Sequence, residues 1–165
     1  MLNLFSRLAA VLLLRLGPQD VPAGSQAMLT SIGAYVLVTS INLNLGNPHP
    51  RWMLVVGLAV ALPMVMTRIL LGLRGRLARW EQTISAKFGT SALLALLTLP
   101  INLAGSDNLG PGAALITLVA FFWSFSVSAH IWRHALDIGF AAGLALSVAL
   151  FAVTVFIITT LAGSI

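Results

Sequence analysis

Five apolar stretches, each about as long as a bilayer is thick, constrain this chain more than any other feature. They run over about 26–45, 52–73, 84–103, 113–131 and 136–162. A helix needs about 20 apolar residues to cross a hydrocarbon core of about 30 Å. In lipid every backbone N–H and C=O must find a partner inside the protein, and a helix pairs its own. Of 165 residues, 59% are hydrophobic and only 8% are charged, against about 25% charged in a soluble domain. The polar side chains are too few to cover a water-facing surface. The fold class read from this is all-α: a polytopic transmembrane helical bundle of five spans plus an N-terminal interfacial helix, forming one membrane domain over 1–165.

The charges divide by side. Nine Lys+Arg against four Asp+Glu give a formal net charge of +5. With five spans, Arg7, Arg15, Arg68, Arg74, Arg76, Arg79, Lys87 and Arg133 fall on one side, and Arg51 alone on the other. The positive-inside rule then predicts a cytoplasmic N-terminus and an exterior C-terminus. A four-span reading, merging the last two, leaves Arg133 in lipid and ranks below five. Because the basic residues sit between apolar spans, they point to anionic lipid headgroups rather than nucleic acid. There are no cysteines, so disulfide, thiolate and cysteine-metal chemistry are excluded.

The first segment, about 2–16, is apolar but carries Arg7 and Arg15, and Gly17-Pro18 stops it. At 1.5 Å per residue it reaches roughly 21 Å, too short to span. It reads as a helix lying on the membrane surface; an uncleaved signal-like anchor is the alternative, since Pro18-Gln19-Asp20 is a poor cleavage context. Residues 17–25 form a proline-containing elbow, with Ser25 the expected N-cap of the first span. Trp52 suits the interface, Pro63 predicts a kink, and Arg68 lies within snorkelling reach of a span end. Ala104 to Gly112 reads as a loop. Between Gly112 and Gly139 there is no Gly or Pro, so the fourth turn is placed at the polar cluster His130 to Asp137.

Two constellations could carry chemistry. His130, His134 and Asp137 stand at i, i+4 and i+7, one face of a continuous helix, and could hold a divalent metal. The competing reading is a hydrated turn in which Asp137 caps the fifth span or pairs with Arg133. Arg74, Arg76 and Arg79, with Lys87 just inside the third span counted among them, form a basic loop suited to anionic lipid or a partner protein. The central parts of the spans otherwise lack ionisable groups, which disfavours ion-driven transport and intramembrane proteolysis. Thr30, Ser31, Thr39, Ser40 and Thr98 read as helix–helix glue. Ser124, Ser126 and Ser128 recur at period two and so do not form one helical stripe. Gly139 and Gly143 are a small-xxx-small pair. There is no phosphate loop, nucleophile elbow or zinc-protease helix.

The layout, together with Leu16-Gly17-Pro18-Gln19-Asp20-Val21-Pro22 and His130-Ile131-Trp132-Arg133-His134-Ala135-Leu136-Asp137, resembles small bacterial members of the Yip family of five-span, Rab-interacting membrane proteins. The resemblance implies a role in membrane organisation or trafficking rather than catalysis, and transfers no site residues. The expectation is a non-enzymatic bacterial inner-membrane protein without cofactors. It would act as an adaptor or accessory subunit that contacts anionic lipids, other membrane proteins or its own copies. The alternative is a small permease, channel or lipid scramblase working as an oligomer, with a groove lined by the scattered Ser, Thr and Asn.

Overall fold

The computed structural model describes residues 2–45, 50–103 and 110–163. It contains six helices: α1 Leu2–Leu12, α2 Ser25–Asn44, α3 Trp52–Leu73, α4 Trp80–Leu103, α5 Pro111–Leu136 and α6 Phe140–Ala162. No strand occurs among the described residues. Five helical spans among them, coinciding with α2, α3, α5 and α6 and, over Leu77–Ile101, with α4 and the turn before it, are long and apolar enough to cross a membrane. The expected loop at 104–109 lies outside the described residues. Successive spans run in opposite directions, so α3, α5 and the N-terminal segment end where α4 and α6 begin. We call this the basic end, because it carries most of the arginines.

Helix ends explain where the sequence reading and the structure part. Ser25 is the first residue of α2, and Gly24, at φ 121°, takes the N-cap position instead. α3 closes with Gly75 in the left-handed region (φ 65°), with Arg76 N–H donating to Leu71 O at 2.8 Å and Gly75 N–H to Gly72 O at 3.0 Å. This Schellman turn uses glycine because it has no Cβ to clash. α5 continues through the polar cluster to Leu136, about five residues beyond expectation. It stops at Asp137 (φ 50°), where Ile138 N–H donates back to Arg133 O at 3.2 Å. Aspartate tolerates this conformation better than most residues. Pro111 begins α5 at the position where its missing N–H costs nothing.

The short N-terminal helix α1 packs along α4 and α5. Leu4, Leu8, Val11 and Leu12 form its apolar stripe, and the last three are buried against Val21, Ala86, Val127 and Ile131. Leu8 sits over Gly89 of α4, where an added Cβ would come within 2.5 Å of the leucine side chain. Phe5, Arg7, Leu13 and Arg15 face outward. The helix ends at Leu12, five residues before Gly17, in a second Schellman turn with Leu14 at φ 60° and Arg15 N–H donating to Ala10 O at 2.9 Å.

The spans pack by close approach and ring stacking. α2 lies mainly on α4, where Tyr35 and Phe88 meet with centroids 5.1 Å apart. α5 and α6 pair at Gly143, where an added Cβ would stand 2.6 Å from Ala129 O. Toward the other end Phe125 and Phe151 meet edge to face at 5.2 Å. Lipid tails are as apolar as leucine, so van der Waals fit of this kind holds the helices together. Of the small-xxx-small pair, only Gly143 is in contact; Gly139 caps α6 and has open space around it. Gly143→Ala is therefore expected to destabilise the α5–α6 pair by about 1–3 kcal/mol, and Gly139→Ala by less than about 1 kcal/mol. Thermal unfolding in detergent, with both variants side by side, measures the difference.

Candidate functional site

A cavity of about 330 Å³ lies between the spans. All five contribute: Tyr35 from α2; Ala59, Pro63 and Met66 from α3; Lys87 to Leu94 from α4; Ser124 to Trp132 from α5; Ser147 to Ile158 from α6. Leu12 of the docked N-terminal segment completes the wall. Lys87, Met66 and Ser147 each stand seven residues in from the basic end of their helix, which is roughly 10 Å of helix rise. Ile158 lies roughly 27 Å along α6 by the same measure. Pro63 has no N–H to give the Ala59 carbonyl one turn back, and both residues line the cavity.

Lys87 is not part of the basic loop. α4 begins at Trp80, not near Ile84, so Lys87 lies two turns inside the helix and among the cavity residues. Its Nζ stands 4.6 Å from the centroid of the Trp132 ring, a ring that is 1% exposed. Cation–π contact of this kind contributes about 0.5–2 kcal/mol. No acidic side chain lines the cavity, and no carboxylate among the described residues pairs with Lys87.

The hydroxyls around it are of two kinds. Thr90, Ser124, Ser147 and Thr154 each donate to a carbonyl three or four residues back, at 2.6 to 2.8 Å. Their protons are spent and only lone pairs remain. Ser91 and Ser128 line the same cavity with no partner among the described residues. The period-two reading of the serines hid this arrangement. Ser124, Ser128 and Trp132 are four apart and share a face toward the cavity, while Ser126 is not in its lining. Lys87 and Ser91 are likewise four apart on α4. Ser31 and Thr67 carry buried hydroxyls without partners, away from the cavity.

At the basic end the arginines serve the structure. Arg79 Nη1 donates to the His134 carbonyl at 2.8 Å, to Ala135 O at 3.4 Å and to Asp137 Oδ1 at 3.3 Å. It thus caps the last turn of α5, where unpaired carbonyls and the helix dipole both favour a cation. Arg76 pairs with the other oxygen of Asp137. Asp137 therefore pairs with Arg76 and Arg79, not with Arg133. Arg68 stacks over Trp80 at 5.7 Å. Of the three loop arginines, Arg74 alone stays fully exposed.

His130, His134 and Asp137 do not converge on a metal position. Helical continuity ends at Leu136, so Asp137 leaves the face it would share with the histidines. His130 Nε2 donates to Leu16 O at 3.0 Å; since a carbonyl only accepts, Nε2 carries the proton. The two imidazoles meet edge to face at 4.6 Å. Among the described residues no three His, Asp or Glu side chains gather as metal ligands. The partial desolvation of Asp137 pushes its carboxyl up, but hydrogen bonds to Arg79 and the charges of Arg76 and Arg79 outweigh this and hold it below its ordinary value.

His130 belongs to a row of side-chain donors that seize the N-terminal segment. Trp123 Nε1 donates to Leu12 O at 3.0 Å. Gln82 Nε2 donates to Gln19 O and Val21 O, both at 3.1 Å. Asp20 accepts from Gly17 N–H at 2.9 Å, closing the elbow on itself. Sequence reasoning missed these pairings because the acceptors are main-chain groups, which leave no residue signature. Compared with known proteins, the chain matches no family model, no curated protein and no solved structure.

Two outcomes follow from the basic-end geometry. Arg79→Gln strips the cap from α5 and is expected to cost about 1 kcal/mol, whereas Arg74→Gln leaves unfolding in detergent unchanged. Because the folded-state pKa of Asp137 is depressed, its contribution is present above the ordinary carboxyl value of about 3.9 and lost as pH falls through the folded value. Wild-type stability should therefore drop below about pH 4 more steeply than that of Asp137→Asn.

Proposed function

We propose that the chain is a small membrane permease that takes a solute into the cavity between its five spans. The observation that carries this reading is Lys87, a cation without a carboxylate partner that lines a cavity inside the bundle. Ionisable groups at depth in a membrane are costly, and they mark substrate and ion pathways. The adaptor reading rests on absent chemistry and the charge layout; of the basic residues it named as a contact face, Arg76 and Arg79 are engaged by Asp137 and the end of α5, and Lys87 lines the cavity. No catalytic group has a place in this proposal. The charge asymmetry supports an orientation with the basic end in the cytoplasm, and the bacterial inner-membrane location rests on the resemblance to small bacterial Yip-family members alone. The layout shared with the Yip family supports a general role in the membrane and says nothing of the solute.

Proteoliposomes loaded with a mixture of small organic anions, cations and neutral solutes test the proposal. The expected result is efflux of a subset above empty vesicles, reduced at least about tenfold in Lys87→Gln, the scale of losing one charge contact. Efflux equal to that of empty vesicles would remove the permease reading.

The second reading, an adaptor on lipid or a partner, is favoured by the exposed Arg7, Arg15 and Arg74. It expects a triple charge reversal at these positions to strip co-purifying anionic lipid or protein while leaving the fold intact. Unchanged co-purification would count against it.

A further inference from the structure

We infer that the cavity binds a monoanionic amphiphile, a single carboxylate head on an apolar body, with the head on Lys87, Ser91 and Ser128. This rests on the reading of the cavity as the working site. Charge comes first. The cavity wall holds one ammonium and no carboxylate. A neutral ligand leaves that ammonium uncompensated in a low-dielectric setting, and a dianion leaves an excess negative charge there; a monoanion leaves neither.

Hydrogen bonding selects the kind of anion. Lys87 offers ammonium protons, and Ser91 and Ser128 are the cavity hydroxyls on the same two helices with protons unspent. Lys87 and Ser91 are one turn apart on α4; Ser128 is one turn from Trp132, the ring that Lys87 covers. A carboxylate accepts at two oxygens and matches this small set of donors. A phosphate dianion would leave excess negative charge beside a single lysine, and the planar arginine fork that matches phosphate bidentately is missing, since no arginine lines the cavity.

The rest of the wall sets the body. Beyond the donors the lining is largely apolar and includes Leu94, Phe125, Phe151, Met66 and Ile158, with Phe125 and Phe151 in edge-to-face contact; the hydroxyls of Thr90, Ser124, Ser147 and Thr154 in that wall are bonded to their own helices. The volume of about 330 Å³ lies at the small end of ligand pockets. It suits a medium-length alkyl chain or a single aromatic ring, not a two-tailed lipid.

α-Bromodecanoate is a direct probe, because its bromine sits beside the carboxylate and would quench Trp132. The full chain is placed in nanodiscs of zwitterionic lipid, and tryptophan quenching is titrated. The expected result is saturable quenching that is lost in Trp132→Phe. It should weaken by about tenfold or more in Lys87→Gln, recover in part in Lys87→Arg, and stay unchanged in Arg74→Gln. Equal quenching of wild type and Lys87→Gln would overturn the assignment, as would equal quenching by the neutral counterpart 2-bromodecan-1-ol. Displacement of the probe by decyl phosphate at lower concentration than by decanoate would also overturn it, pointing to a phosphate headgroup. A nanodisc has no second compartment, so binding without flux would sink the permease reading and leave this assignment standing. Flux of other solutes with no binding of the acid would do the reverse.

Discussion

A carbonyl at the end of a helix has no N–H of its own helix to accept from, and in a bundle surrounded by lipid it has little water to turn to. Most of the specific polar contacts of this protein answer that need. Arg79 takes the carbonyls at the end of α5. Arg51, the one basic residue of the opposite end by charge count, donates to Leu161 O in the last turn of α6 at 3.2 Å. Trp123, His130 and Gln82 take the carbonyls released where α1 unwinds into the elbow. Left-handed turns at Leu14, Gly75 and Asp137 close further carbonyls with the chain's own amides. Residues that look like topology signals or metal ligands in the sequence are thus occupied by main-chain oxygen.

The position of α1 follows from the same constraint. Its leucines would be as well solvated by lipid tails as by the bundle, so apolar burial alone gives a short helix little reason to dock. The carbonyls after Leu12 give it one. Each interhelical hydrogen bond of this kind is worth about 0.6 kcal/mol in a membrane, and four of them hold one short segment. Docking brings Leu12 to the cavity wall, so the N-terminal segment contributes to the candidate site rather than only to its surroundings.

The five spans were legible because length and apolarity are properties of single segments, and α2 and α3 start and stop within a residue or two of the sequence reading. The starts of α4 and α6 and the end of α5 were not, because those boundaries depend on partners elsewhere. The turn was placed within the polar run from His130, yet α5 continues there since His130 finds Leu16 O and Arg79 meets the helix end from another segment. That shift of a few residues decided the site. It separated Asp137 from the histidines, and the earlier start of α4 moved Lys87 from a loop into the bundle. Of the groove expected from the scattered Ser, Thr and Asn, only Ser124 and Ser128 of the residues singled out line the cavity; its place and its lysine were not legible, because its wall is drawn from six segments, none polar enough to stand out alone.

Lys87 is what this system of pairing leaves over. Arg51, Arg76 and Arg79 meet oxygen, Arg68 stacks on a ring at the bundle's edge, and Arg7, Arg15, Arg74 and Arg133 reach the outside. Lys87 meets the buried face of Trp132 and otherwise lines a cavity with it. A bundle built only for stability would gain by placing a glutamine or leucine there, since an uncompensated charge in low dielectric is a net cost. Moving Lys87 one turn toward Trp80 would let its flexible stem carry the ammonium to the headgroups. Its actual register keeps the charge on the Trp132 ring, in a cavity that Ser91 and Ser128 also line, and that register turns a packing gap between helices into a place with one charge, two unspent hydroxyl donors and a largely apolar wall.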